Sequence, residues 1–337
     1  MADFTVAIPT YNGAERLPLV LDKLRSQIGV EKLSWQVIVV DNNSKDHTRK
    51  IVRQYQKNWP QQIRLKYCFE AQQGAAFARQ KAIKEANSSL IGFLDDDNLP
   101  AADWVASAYE FAQKYPKAGA YASQIHGDFA GNLPPNFERI KPLFAITERG
   151  NKPLLYQPAK KLIPPSAGLV VRRQAWLQSV PEHCVLSGRV PGSMLTGEDT
   201  ETIAYIQKAG WEIWYNPAME VTHKIPKHRL EKDYLIRFFR GIGLSRYVTR
   251  MLNIQPWLKP LALLAYMAND TRKIIRHLVK YGPQLQTDIV AACELELYIN
   301  SLKSPFYLWK NGYLTKVKPN QTPVVESQVG LSGIECR

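Results

Sequence analysis

Apolar runs of strand length alternate with segments of helical period through the first hundred residues. Phe4–Pro9, Trp35–Val40, Ile63–Phe69 and Leu90–Leu94 are short and dominated by β-branched and aromatic residues, so they predict strands. Between them, Leu17–Gln27, His47–Gln56 and Gly74–Ala86 repeat their apolar positions every three to four residues and predict helices. This alternation implies an α/β chain with a mostly parallel central sheet covered by helices on both faces. Such sheets present ligand sites at the carboxyl ends of their strands. Three of those ends carry polar clusters: Thr10-Tyr11-Asn12, Asp41-Asn42-Asn43-Ser44 and Asp95-Asp96-Asp97-Asn98.

Beyond residue 131 the pattern weakens. Residues 132–165 are rich in Pro, Lys and Asn and predict a long loop region that is mobile without ligand. A strand over Ala167–Arg172, a helix over Thr200–Ala209 closed by Gly210, and a short strand over Glu212–Tyr215 follow. Residues 231–303 predict two or three helices with aromatic and aliphatic faces, and the polar segment after Asn311 predicts a disordered tail. The domain division expected is an α/β unit over 1–230, a helical basic region over 231–310 and the tail over 311–337. Within the first, residues 1–125 and 126–230 form two parts, the three strand-end polar clusters falling in the former.

Composition is that of an ordinary globular chain, with 45% hydrophobic and 22% charged residues among 337, which excludes a collagen-like or largely disordered protein. Lys and Arg number 44 against 30 Asp and Glu, a net charge of +14. Residues 224–310 alone carry 15 basic and 6 acidic side chains. There the basic residues are interleaved with Leu235, Phe238, Phe239, Ile242, Leu261 and Leu264, a mixture suited to an anionic membrane surface or an acidic acceptor rather than to nucleic acid. The most apolar stretch, Leu261–Ala268, is far short of the roughly 20 residues that span a bilayer. Cys68, Cys184, Cys293 and Cys336 form no C-x-x-C pair, and the N-terminus has no basic segment before an apolar one. A cytoplasmic location, peripheral at the inner face of the plasma membrane, is the expectation.

The chemistry concentrates at three places. Asp95, Asp96 and Asp97 crowd like charges at a strand end, which raises carboxylate pKa values unless a cation neutralises them, and a hard ion such as Mg²⁺ or Mn²⁺ would bridge to a diphosphate. A solvated acidic turn is the alternative. Glu198 and Asp199 open a helix whose positive end favours an ionised carboxylate, able to act as a general base or merely to cap the helix. His223 follows a strand-like Met219–Val221 and can be a metal ligand or a structural histidine. Gly74 opens an Ala-rich helix containing Arg79, which lets backbone and guanidinium approach a phosphate or sugar. Neither the Walker lysine pattern nor the dinucleotide glycine triplet is present, which argues against an ATPase or a dehydrogenase.

In chain order, the motifs Ile8-Pro9-Thr10-Tyr11-Asn12, Val39-Val40-Asp41-Asn42-Asn43-Ser44, Gly74 to Arg79, Phe93-Leu94-Asp95-Asp96-Asp97, Gly168-Leu169-Val170-Val171-Arg172-Arg173, Gly197-Glu198-Asp199 and Val221-Thr222-His223 resemble those of bacterial family 2 glycosyltransferases with the glycosyltransferase-A fold. The later part is similar to cyanobacterial glycosyltransferases of hormogonium and exopolysaccharide synthesis. The resemblance implies a metal-dependent, inverting transferase acting from a nucleotide-sugar donor, a UDP-sugar, onto a polysaccharide or lipid-linked saccharide. It places Pro9, Tyr11, Asn12, Asp41 and Asn42 around the nucleotide, Gly74 and Arg79 beside them, and Asp95 or Asp96 on the ribose. Asp97 and His223 would hold Mn²⁺ or Mg²⁺ on the diphosphate, and Asp199, beside Glu198, would deprotonate the acceptor. Asn42 departs from the Asp of many members and leaves the base less defined. A catalytically silent nucleotide-sugar-binding protein and a nucleic-acid-binding protein are the competing classes.

Overall fold

A computed structural model describes residues 2–157 and 163–314. Among them a nine-stranded sheet runs β3-β2-β1-β4-β8-β6-β9-β5, with β7 paired on β9. The strands β1 (Phe4–Thr10), β2 (Trp35–Asp41), β3 (Arg64–Phe69) and β4 (Leu90–Phe93) are parallel, as the strand-helix alternation requires. Beyond β4 the sheet becomes mixed. The strand β8 (Leu169–Arg172) runs antiparallel to both β4 and β6 (Ala118–Phe129), and β5 (Asn98–Pro100) and β7 (Leu154–Leu155) run antiparallel to β9 (Glu212–Ile225).

Helices cover both faces. On one side α1 (Leu17–Arg25), α2 (Thr48–Lys57) and α4 (Trp104–Lys114) bury Leu17, Leu21, Val52, Trp104 and Phe111 against β1–β3 and β6. On the other, α3 (Ala75–Glu85), α5 (Arg173–Ser179) and α6 (Glu198–Lys208) bury Ala78, Ile83, Trp176, Ile203 and Ile206 against Ile38, Val40 and Phe93. Trp214 and Tyr215 belong to the sheet, Trp214 packing edge-on to Phe111 and tilted against Tyr115.

Two differences from the sequence expectation have local causes. The short strand expected over Glu212–Tyr215 is the start of a 14-residue strand. Its pairing with β6 jumps from Asn216 to Glu220 around Pro217, which has no N–H to donate, so the alternation is broken where the strand is not. The long loop region carries 3₁₀ turns at Phe137–Arg139 and Lys141–Phe144, whose Phe137, Ile140 and Phe144 enter a core with α7 (Lys232–Met251) and α9 (Ile289–Lys310). Between these lies α8 (Lys259–Tyr281), which packs on α9. The expected tail, after its first four residues, lies outside the described residues. Among the described residues no helix is long and apolar enough to cross a membrane.

Candidate active site

One cavity of about 1470 Å³ opens at the carboxyl ends of β1 and β4 and extends to the inner faces of α7 and α8. Pro9, Tyr11, Asn42, Arg79, Asp95, Asp96, Asp97, Glu198, Asp199 and His223 line it; Asn12, Asp41 and Gly74 do not.

The three consecutive carboxylates are neutralised by three arginines from three different parts of the chain. Arg79, buried on α3, donates to Asp95 at 3.2 Å and to Glu198 at 3.0 Å. Arg16 donates twice to Asp96, at 2.8 and 2.9 Å, and Thr10 adds a hydroxyl at 2.6 Å. Arg229 donates to Asp97 at 2.8 Å. Such charge-assisted bonds compensate the loss of hydration that burial imposes on a carboxylate. Arg79 thus ties Asp95 to Glu198 as an internal counter-ion while still lining the cavity.

Pairing of β5 with β9 sets Asn98 opposite His223, and the Lys224 N–H donates to the Asp97 carbonyl at 2.9 Å. The imidazole Nε2 therefore lies 3.7 Å from Asp97 Oδ1. Its Nδ1 is 3.0 Å from the Phe144 carbonyl oxygen, which can only accept, so Nδ1 carries the proton and a neutral ring offers its Nε2 lone pair to the cavity. Burial pushes the Asp97 carboxyl upward, but contact with His223 when that ring is protonated, and the charges of Arg229 and Arg189, prevail and hold it well below the usual carboxylate range. One carboxylate oxygen and one imidazole nitrogen suit a divalent ion that takes its remaining ligands from water and phosphate. Among the described residues no group of three or more His, Cys, Asp or Glu is arranged to hold a metal.

At the other side Gly197, at φ 100°, is the N-cap of α6, so neither Glu198 nor Asp199 occupies the capping position. Asp199 accepts from the Thr200 N–H at 2.7 Å and the Ser166 N–H at 3.2 Å. The helix terminus was expected to favour its ionised form. Instead burial, and then the neighbouring Glu198 charge, outweigh Arg79 and those two bonds, and raise its pKa to about 6. A carboxylate poised there is a better proton acceptor near neutrality than one of ordinary pKa.

Residues expected around the nucleotide divide between lining and support. Asp41 accepts from the Tyr67 hydroxyl at 2.7 Å and the Ser44 N–H at 2.9 Å and is buried outside the cavity. Asn12, at φ 49°, accepts the Lys45 N–H at 2.8 Å and also stands behind the lining. Asn42 accepts the Gly74 N–H at 2.7 Å and donates its amide to the carbonyls of Gln72 at 2.7 Å and Glu70 at 3.3 Å. A carboxylate could not donate those two bonds, which accounts locally for Asn at this position. Gly74 itself, at φ 136°, has the Ser187 carbonyl only 2.6 Å from where a Cβ would stand. The sequence pattern did not point to Arg16, Arg189 or Arg229, all of which line the cavity. The only signal for them was three adjacent carboxylates in need of cations.

The model of the family Glycosyl transferase family 2 matches residues 5–174, half of the chain, from β1 to the start of α5. Glycosyltransferase AglE of Haloferax volcanii is 35% identical over 102 residues, which are 30% of this chain and 32% of that one. The putative teichuronic acid biosynthesis glycosyltransferase TuaG of Bacillus subtilis is 34% identical over 107 residues, 32% of this chain and 40% of its own. The matches thus span well under half the length of either relative. Among solved structures, mannosyltransferase PcManGT from Pyrobaculum calidifontis, in complex with GDP-Man and Mn²⁺, shares the fold at TM-score 0.56 and 19% identity, over 91% of this chain and 90% of that one. GalNAc-T7 with UDP, GalNAc and Mn²⁺ shares it at TM-score 0.52 and 14% identity, over 78% and 53%. With the fold, the strand-end carboxylates and the sequence match in agreement, the chain belongs to glycosyl transferase family 2.

Proposed function

We propose that this chain transfers a sugar from a nucleotide-sugar donor, a UDP-sugar by preference, to a polysaccharide or lipid-linked saccharide acceptor with inversion at the anomeric carbon. One observation carries the reading: the Asp97 and His223 donor pair and the Asp199 carboxyl, with its pKa near 6, face the same cavity. The reaction needs a proton acceptor on one side and stabilisation of a departing diphosphate on the other. Tyr11 and Pro9 would border the base, with Asp41, Asn12 and Gly74 holding the loops behind them. Asp95 and Asp96, fixed by Arg79 and Arg16, would face the ribose. Asp97 and His223 would hold Mn²⁺ or Mg²⁺, which when bound neutralises charge developing on the diphosphate. Asp199 would take the acceptor hydroxyl proton as that oxygen bonds to the anomeric carbon and the bond to the diphosphate breaks. The presence of Mn²⁺ with GDP-Man in one structural relative and with UDP and GalNAc in the other supports the metal and the donor class.

The division of the chain belongs to the same proposal, with residues 1–125 serving the donor, 126–230 the acceptor, and 231–310 forming the cavity's far wall. So does the narrower likeness to cyanobacterial enzymes of hormogonium and exopolysaccharide synthesis, under which the acceptor is a growing polysaccharide. We further place the C-terminal helices against an anionic membrane at its cytoplasmic face. The support is α8, which is built inside out. Its two buried residues are Asp270 and His277, 1% and 6% exposed, whereas Leu261 and Leu264 are each 65% exposed and Val279 is 81% exposed. Lys259, Arg272, Arg276 and Lys280 are exposed on the same helix, and its one acidic residue, Asp270, points inward. A second copy of the chain would bring these cations against one another; anionic headgroups would match them.

Purified protein offered a panel of UDP- and GDP-sugars with Mn²⁺ or Mg²⁺ should release nucleotide from one donor class, by hydrolysis or transfer. Donor binding without turnover under every condition would favour the silent binding protein, and no donor binding would overturn the proposal.

A further inference from the structure

The far wall of the cavity carries charge that the transfer chemistry does not use. Arg246 and Arg250 reach it from α7, and Asn269 and Lys273 from α8, with Asn253 between. Arg250 is already compensated, donating to both oxygens of buried Asp270 at 2.5 and 2.9 Å. Its guanidinium also lies 4.9 Å from the Tyr266 ring centroid. Among the described residues, the Arg246 guanidinium and the Lys273 ammonium make no hydrogen bond or ion pair; Lys273 lies 5.7 Å from the Tyr298 ring centroid. Burial, and then Arg250, hold the Arg246 pKa below that of an ordinary arginine, and burial followed by Arg246 does the same to Lys273. Two cations half-withdrawn from water beside a third, with one carboxylate among them, form a site short of negative charge.

We infer that Arg246 and Lys273, with Arg250 beside them, bind a phosphate group carried by the acceptor. A tetrahedral dianion matches two cations flanked by the Asn253 and Asn269 amides, and the guanidinium fork suits phosphate oxygens. The Arg250–Asp270 pair fixes α7 to α8 and so holds the spacing of the two free cations. Assigning the phosphate to the acceptor rests on the transferase reading, but its binding does not, and can be measured without any donor. The phosphate could belong to a sugar phosphate or to a lipid phosphate.

The test is calorimetric titration of the full chain at low ionic strength with glucose 6-phosphate and with octyl phosphate, beside glucose and octanol as uncharged counterparts. At least one phosphate should bind, and which one does so identifies the source. The uncharged compounds should not bind. Arg246→Gln with Lys273→Gln should weaken phosphate binding by about tenfold or more for the lost charge-assisted bonds, while affinity for UDP or GDP with Mn²⁺ stays unchanged. Arg246→Lys with Lys273→Arg, which keeps both charges, should retain most of the phosphate affinity. Should the double glutamine variant fail to fold, Lys273→Gln alone should show the loss. Equal phosphate binding by wild type and charge-removed protein, or equal binding of glucose or octanol, would overturn the inference whatever the fate of the transferase reading.

Discussion

Arg229 donates to Asp97 across 132 residues of chain, at 2.8 Å, while His223 approaches the other carboxylate oxygen at 3.7 Å. The two oxygens are thereby differentiated: Oδ2 serves an internal ion pair, whereas Oδ1 accepts from the Asn98 amide at 3.1 Å on the side of the imidazole. Because this environment holds Asp97 far below the usual range, it is ionised and competent for a cation at any pH near neutrality.

Asp97→Asn retains the shape and the ability to accept from Arg229 but removes the charge. Mn²⁺-dependent nucleotide binding should disappear in calorimetric titration, and turnover should fall by roughly 100-fold or more, the scale of losing one preorganised electrostatic element. The circular dichroism spectrum should be unchanged. Full Mn²⁺-dependent turnover by Asp97→Asn would remove Asp97 from the metal site.

Asp199 makes a prediction with a defined sign. A base must be deprotonated to act, so kcat/KM should rise with pH through about 6 and level off above it. Glu198→Gln deletes the neighbouring charge that helps raise this pKa, so the rising limb should move to lower pH. Asp199→Asn should lose about 10²-fold or more in turnover with donor affinity retained. Stability should respond the opposite way. The fold favours the protonated carboxyl, so its contribution is complete below the unfolded-state pKa and is lost as pH rises through about 6. Above that pH, Asp199→Asn should be at least as resistant to urea as wild type, whereas loss of a purely structural carboxylate would lower the midpoint.

What could be read from the sequence follows from what leaves a periodic or local trace. Strands β1 to β4 and their helices were legible because burial on two faces makes short apolar runs. Asp95–Asp97 and Glu198–Asp199 stood out because charge at a strand end or a helix start is locally anomalous. The arginines that answer those carboxylates were not legible: Arg16 and Arg229 are single residues in connecting segments, and only tertiary structure brings them to Asp96 and Asp97. Asp41 shows the limit of that signal, since a strand-end carboxylate looks the same whether it lines a cavity or, as here, accepts from the hydroxyl of Tyr67. Of the apolar residues set beside basic ones and read as suited to a membrane surface, Leu235, Phe238 and Phe239 are instead buried in the core that α7 shares with α9, and Leu261 and Leu264 of α8 face outward; helical period alone does not say which face a neighbouring helix covers.

The C-terminal helices are bound into the catalytic unit through close backbone approach. A Cβ on Gly241 of α7 would stand 1.9 Å from the Met194 carbonyl oxygen and 2.5 Å from its carbon, and neither atom belongs to a flexible side-chain end. Gly241→Ala should therefore destabilise the protein by about 1–3 kcal/mol through overpacking. It should also loosen the wall that carries Arg246. Urea unfolding should show a lower midpoint for the whole protein. If α7–α9 were a weakly attached appendage, the main transition would stay in place and only a minor early one would move.

The exposed face of α8 provides the last prediction, and point substitutions test it without disturbing the core. Leu261, Leu264 and Ile275 are all more than half exposed, so changing them to Ser removes little folded-state packing. If these side chains enter the headgroup boundary, each loses most of its transfer free energy on substitution, and the triple variant should no longer sediment with phosphatidylglycerol-containing vesicles. Arg272→Gln with Arg276→Gln removes two cations worth about 1 kcal/mol each near an anionic surface, so binding should weaken roughly 30-fold at low salt. Raising ionic strength should narrow the gap between this variant and wild type, because salt screens the term that was deleted. The triple Ser variant should stay defective at every salt concentration, since its loss is apolar. Equal sedimentation of wild type with neutral and anionic vesicles would show that charge does not direct the contact. Absence of binding to both would leave the face for another partner.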